Sequence, residues 1–162
     1  MLKLTTNCGA IDIKLDVRTS PRATASVAYL VDHGYYDGFP FDRVDRDYVV
    51  QVGEPHGQYR PISPGYTIVE LPPRSTRYPF GTVAMYNIDR QAPGTSGSEF
   101  FIVVTTRLDV PPRFTVLGKL VGGTQAVERI SRVQVARPPD GTPLVPIVIS
   151  RARIVAGGNP VR

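Results

Sequence analysis

The chain has 162 residues, 41% hydrophobic and 20% charged, which is an ordinary globular composition with length enough for one domain and a buried core. Its formal net charge of +5 comes from arginines scattered between Arg18 and Arg162, so a solvated basic surface is expected and a nucleic-acid partner is not. No run of about 18 apolar residues exists, which excludes a hydrophobic membrane-spanning helix. The single cysteine, Cys8, cannot form an internal disulfide, and Met1 to Thr6 lacks the apolar stretch of a signal peptide, so a cytoplasmic location is expected. The 16 prolines and 15 glycines suit a barrel with ordered loops.

Leu2 and Leu4 alternate with Lys3 and Thr5, and Ile11, Ile13 and Leu15 alternate with Asp12, Lys14 and Asp16. Both runs predict half-buried strands, joined by a hairpin turn at Asn7-Cys8-Gly9. Ser20-Pro21 reads as an N-cap followed by proline at the first helical position. The helix it starts carries Ala23, Val27, Leu30 and Val31 on one face and ends at Gly34.

Phe41 to Val44 and Tyr48 to Val52 predict two further strands. Gly53 to Pro79 is rich in Pro, Gly and Tyr, with a short strand over Tyr66 to Val69. Thr82 to Tyr86 and Glu99 to Val104 predict strands on either side of a polar loop, Asn87 to Ser98. Phe114 to Leu120 predicts another strand. Thr124 is expected to cap a second helix that buries Val127 and Ile130. Val145 to Val155 predicts a last strand whose alternation slips near Ser150-Arg151, as a bulge would cause. The pattern fits a mainly β fold, a closed eight-stranded antiparallel barrel capped by two helices, as a single domain over residues 1–162.

Most catalytic signatures are missing. His33, at a predicted helix end, and His56, in a loop, have no second His or Cys at metal-ligand spacing, so no metal is expected. No phosphate-binding loop or dinucleotide fingerprint is present, and no cofactor is expected. Gly94-Thr95-Ser96-Gly97 lacks the spacing of a nucleophile elbow. What remains is a set of strand residues: Phe41-Asp42-Arg43-Val44, Tyr48-Val49-Val50-Gln51, Met85-Tyr86-Asn87 and Gly97-Ser98-Glu99-Phe100-Phe101-Ile102. Singly, a strand arginine ordinarily faces solvent and paired phenylalanines are ordinarily core.

In order, these segments resemble the cyclophilin family of peptidyl-prolyl cis-trans isomerases. Phe41-Asp42-Arg43-Val44 is similar to its Phe-His-Arg-Val. Tyr48-Val49-Val50-Gln51-Val52-Gly53 is similar to Phe-Met-x-Gln-Gly-Gly, and Met85-Tyr86-Asn87 to Met-Ala-Asn. Gly97 to Ile102 is similar to Gly-Ser-Gln-Phe-Phe-Ile, and Phe114 to Gly118 to the late strand before the second helix. The resemblance implies isomerisation of X-Pro bonds in a proline-containing peptide or protein. It implies Arg43 and Gln51 as the catalytic pair. It further implies an apolar proline pocket from Phe101, Tyr48, Val49, Leu108 and Phe114, with the backbone of Asn87 pairing with the extended peptide.

Departures cluster at the same site. The family's His is Asp42, its Phe is Tyr48, its Met is Val49, its Ala is Tyr86 and its Gln is Glu99. Its pocket-edge Trp is Arg107, and its pocket His is Phe114. Alternation puts Glu99 on the face of Phe101, which brings a carboxylate to the wall that carries Arg43. Two other readings stay open. One is a fold recruited to bind or cyclise an apolar small molecule in a biosynthetic pathway, and the other is a noncatalytic proline-peptide binding module.

Overall fold

A computed structural model describes residues 1–53, 64–87, 91–138 and 140–156. The alternating N-terminal runs form β1 (Leu2–Thr6) and β2 (Gly9–Leu15), an antiparallel hairpin in which Thr6 faces Gly9. Helix α1 (Pro21–Asp32) buries Ala23, Val27, Leu30 and Val31, as its spacing predicts. Ser20 occupies the N-cap position but makes no side-chain cap bond. The cap comes instead from Glu70, whose carboxylate accepts from the backbone N–H groups of Arg22 at 3.1 Å and Ala23 at 2.8 Å. The helix closes where Gly34 N–H bonds Val31 O and Tyr35 N–H bonds Leu30 O, both at 2.9 Å, a Schellman arrangement.

The chain continues through β3 (Phe41–Asp45), β4 (Val49–Val52), β5 (Ile68–Val69), β6 (Tyr78–Pro79), β7 (Thr82–Met85), β8 (Thr95–Ser96), β9 (Phe100–Val103), β10 (Arg107–Leu108) and β11 (Val116–Gly122). Helix α2 (Thr124–Ser131), β12 (Asp140–Gly141) and β13 (Ile149–Ile154) follow. Val127 and Ile130 are buried in α2 as expected, but its N-cap is Gly123 and Thr124 is the first helical residue. Gly123 has φ +82° and lies against the Ala10 carbonyl, so neither the turn nor the space admits a side chain there.

One antiparallel sheet of nine strands runs in the order β12-β3-β4-β9-β7-β11-β2-β1-β13 and curls around an apolar core. The mainly β, barrel-like architecture with two helices is as the sequence predicts. The closure is less complete than a closed eight-stranded barrel. The seam is made by the isolated Pro40–Val148 bridge and bonds such as Phe41 N–H to Ile147 O at 2.8 Å. Pro40 and Pro146 flank this seam and have no N–H to extend a ladder. The slip near Ser150 is a bulge, since Thr5 faces Arg151 while Thr6 faces Ile149. Strands β6 and β10 pair with each other, as do β5 and β8, outside the main sheet.

Candidate active site

Strand alternation sends Val44, Val50, Val52, Val83, Phe100 and Ile102 into the barrel core. Their neighbours therefore face outward. The register then aligns Arg43 with Gln51, Gln51 with Phe101, Phe101 with Ala84 and Ala84 with Val116. These five residues form one cross-strand row on the outer face of the sheet.

Outside the barrel lies a second apolar cluster of Val49, Tyr78, Ala84, Phe101, Val103 and Leu108, with Phe114, Tyr86, Val110 and Val116 packed at its margin. Phe101 and Phe114 meet edge to face at 5.1 Å between ring centroids and 88° between planes. Phe114 is fixed from below by Tyr78, whose hydroxyl donates to Phe114 O at 2.9 Å and accepts from Phe114 N–H at 3.0 Å. Burial raises the Tyr78 phenol above its ordinary pKa, against the lowering effect of its backbone bonds to Phe114 and Arg113. Sequence reasoning misses Tyr78, because β6 is two residues long and shows no periodicity.

The structure thus brings Val49, Phe101, Leu108, Phe114 and Tyr86 to one apolar surface. Tyr48 is exposed and outside this cluster. It belongs to the turn into β4, where its N–H bonds Asp45 O at 3.1 Å. Arg107 opens β10 beside the buried Leu108, with 58% of its side chain exposed and Asp109 at 3.5 Å. Asn87 is buried, and its side chain serves the loop. Its Nδ2 donates to Ala92 O at 3.0 Å and Thr95 O at 2.7 Å, and its Oδ1 accepts from Arg113 Nε at 3.1 Å. Arg113, which no motif singles out, also lies over the Phe114 ring at 5.7 Å.

Arg43 is part-exposed, with Nη2 at 3.8 Å from Asp45. Gln51 is buried and donates from Nε2 to Glu99 Oε2 at 3.1 Å. The Phe41/Arg43 register shift makes Asp42 the extra residue of a bulge. Its carboxylate sits 3.0 Å from where a Cβ on Gly53 would be, and Glu99 Cδ sits 3.1 Å from the same point. A side chain at position 53 would crowd both acids, so glycine there leaves them room to approach the row. No group of three or more His, Cys, Asp or Glu residues able to hold a metal occurs among the described residues. His33 sits at the end of α1 with Nδ1 at 2.8 Å from Tyr29 O, and His56 lies outside the described residues. No helix among the described residues is long and apolar enough to cross a membrane.

Residues 1–154 match the family model for "Cyclophilin type peptidyl-prolyl cis-trans isomerase/CLD". The chain is 28% identical over 153 residues to "Peptidyl-prolyl cis-trans isomerase-like 1" of Neurospora crassa, covering 93% of this chain and 91% of that one. It is 31% identical over 138 residues to the protein of the same name from Rhizopus delemar, covering 81% and 79%. It is 29% identical to "Peptidyl-prolyl cis-trans isomerase-like 2" of Cryptococcus neoformans, of whose length it spans only 27%. Among solved structures, a Cryptosporidium parvum cyclophilin type peptidyl-prolyl cis-trans isomerase, crystallised in the presence of the dipeptide Ala-Pro, superposes with a TM-score of 0.81. The two are 22% identical, over 96% of this chain and 99% of that one. With this architecture, this row and a family match across nearly the whole sequence, the chain belongs to the cyclophilin-type peptidyl-prolyl cis-trans isomerase family.

Proposed function

We propose that the protein isomerises X-Pro bonds, with Arg43 and Gln51 as the catalytic pair. The observation that carries this reading is the register, which lines up Arg43, Gln51 and Phe101 on one outward face. The barrier to rotation is amide resonance, about 18–20 kcal/mol. Lowering it needs no proton transfer or covalent step, only tighter binding of the twisted amide than of either planar form. Twisting leaves a lone pair on the prolyl nitrogen, to which a guanidinium donates with a charge that needs no reorganisation. Arg43 is that donor, and Gln51 orients it and holds the substrate carbonyl. The proline ring docks on Phe101, Val49, Leu108 and Phe114, with Tyr48 and Arg107 at the rim, Glu99 beside Gln51, and Tyr86 next to the amino-side subsite. The backbone of Asn87 pairs with the extended peptide.

The test is a cis-trans assay on proline peptides with the wild type and Arg43→Ala. Turnover that needs Arg43 supports the reading, and no turnover by the wild type sinks it. A second reading, an apolar small molecule bound or cyclised here, draws on Tyr86 and Phe114, which pack against the apolar cluster and make it more aromatic than the family pattern. A small-molecule binding screen on a wild type that turns over no peptide separates that reading from a noncatalytic peptide-binding module. The domain reading is one unit over residues 1–162, and the free Cys8 fits a reducing, cytoplasmic setting.

A further inference from the structure

The row that starts at Arg43 ends at Val116, and beyond Val116 the same outer face changes character. There a groove of about 340 Å³ is lined by Lys14, Lys119 and Arg77, with Thr82 and Val116 between them. Lys119 on β11 stands directly opposite Lys14 on β2 and directly opposite Thr82 on β7. Like charges facing each other across an antiparallel pair destabilise it. The arrangement therefore costs stability. Among the described residues neither lysine nor Arg77 has a carboxylate ion-pair partner, whereas Lys3, also on this sheet, pairs with Asp12 at 2.9 Å. Asp16 is the one acid lining the groove, and it accepts a bond from Thr19 N–H at 3.1 Å. Three exposed cations against one engaged carboxylate leave the groove positive.

We propose that this groove is an acidic-residue subsite of the peptide site, so that the preferred substrates carry Asp, Glu or a phosphorylated residue a few positions from the proline. The proposal rests on the isomerase reading for where the proline docks. Two pieces of geometry join the sites. Val116 belongs both to the margin of the apolar cluster and to the groove wall. Arg77 and Pro79 flank Tyr78, the floor of that cluster. From Phe101 to Val116 is two strand steps, about 10 Å, which an extended peptide covers in about three residues. An anion seated between Lys14 and Lys119 offsets their mutual repulsion, so binding gains both the direct attraction and the relief of that repulsion.

The experiment compares matched peptides holding one Ala-Pro bond and a Glu-Glu, Gln-Gln or Lys-Lys pair two to four residues away, on either side. The wild type is expected to show kcat/KM roughly tenfold higher for the Glu-Glu peptide than for the Gln-Gln peptide at low ionic strength. The difference should lie in KM and shrink with added salt. Lys14→Glu should bring that ratio to about one or below. It should also raise Tm, because it places opposite charges face to face on β2 and β11. Equal turnover of acidic and neutral peptides by the wild type, or an acid preference that survives Lys14→Glu, overturns the proposal. If the wild type turns over none of the peptides, the isomerase reading fails on its own, and fluorescence anisotropy of the labelled Glu-Glu peptide decides the subsite. Saturable, salt-sensitive binding lost in Lys14→Glu supports it, and absence of binding overturns it.

Discussion

The side-chain amide of Gln51 gives a hydrogen bond from Nε2 to Glu99 Oε2 at 3.1 Å, while Gln51 Oε1 is buried and accepts from no described residue. A carboxylate can only accept, so it fixes which way the amide points. One N–H of the group proposed to hold the substrate carbonyl is thereby committed to Glu99, and Gln51 Oε1 stays without a partner among the described residues.

Glu99→Gln is expected to raise isomerase turnover several-fold. The neutral amide lets Gln51 take either orientation and withdraws a negative charge from the place where a peptide carbonyl docks. A peptide cis-trans assay checks this. Unchanged or reduced turnover would show that Glu99 does not restrain the site.

Arg43→Ala is expected to lower kcat/KM on the order of 100-fold, the usual effect of removing a donor that acts mainly in the transition state. Its side chain is part-exposed on the outer face, away from the barrel core, so Tm should change little. Full retention of activity would remove Arg43 from the catalytic role.

Tyr78→Phe is expected to cost about 1–3 kcal/mol of stability, since it leaves the backbone N–H and C=O of Phe114 without their shared partner. Activity should fall as well, through the displaced Phe114 ring. Both effects would appear together in chemical denaturation and the peptide assay, and a variant of wild-type stability would contradict the clamp.

Stability should fall at alkaline pH. Burial raises the phenol pKa of both Tyr36 and Tyr78, so the folded chain holds these protons where the unfolded chain releases them. Stability from this source is complete below the unfolded value of about 10 and is lost as pH rises through the folded values. Denaturation midpoints measured between pH 8 and 11 check the slope, and Tyr78→Phe should flatten part of it.

Glu70→Ala is expected to cost about 1 kcal/mol, the usual price of a lost helix cap, because Ser20 makes no cap bond to replace it. A Tm unchanged from wild type would mean that Glu70 is not needed to cap the first turn of α1.

The sequence by itself determined the main strands, because a two-residue period survives wherever one face of a strand is buried, as in Leu2–Thr6 and Gly9–Leu15. It determined α1 through Pro21, the spacing of Ala23, Val27, Leu30 and Val31, and Gly34. It also determined the ordered motifs that put Arg43, Gln51 and Phe101 on strands. Only the tertiary structure decided what depends on contacts between distant segments. Glu70 caps a helix 47 residues earlier in the chain, and Tyr78 braces Phe114 from a strand too short to show a pattern. That Glu99 accepts a bond from Gln51 is set by which strands lie side by side and at what register. The same is true of Lys14 and Lys119. Each is an unremarkable surface lysine in sequence, and only the pairing of β2 with β11 sets one charge opposite the other.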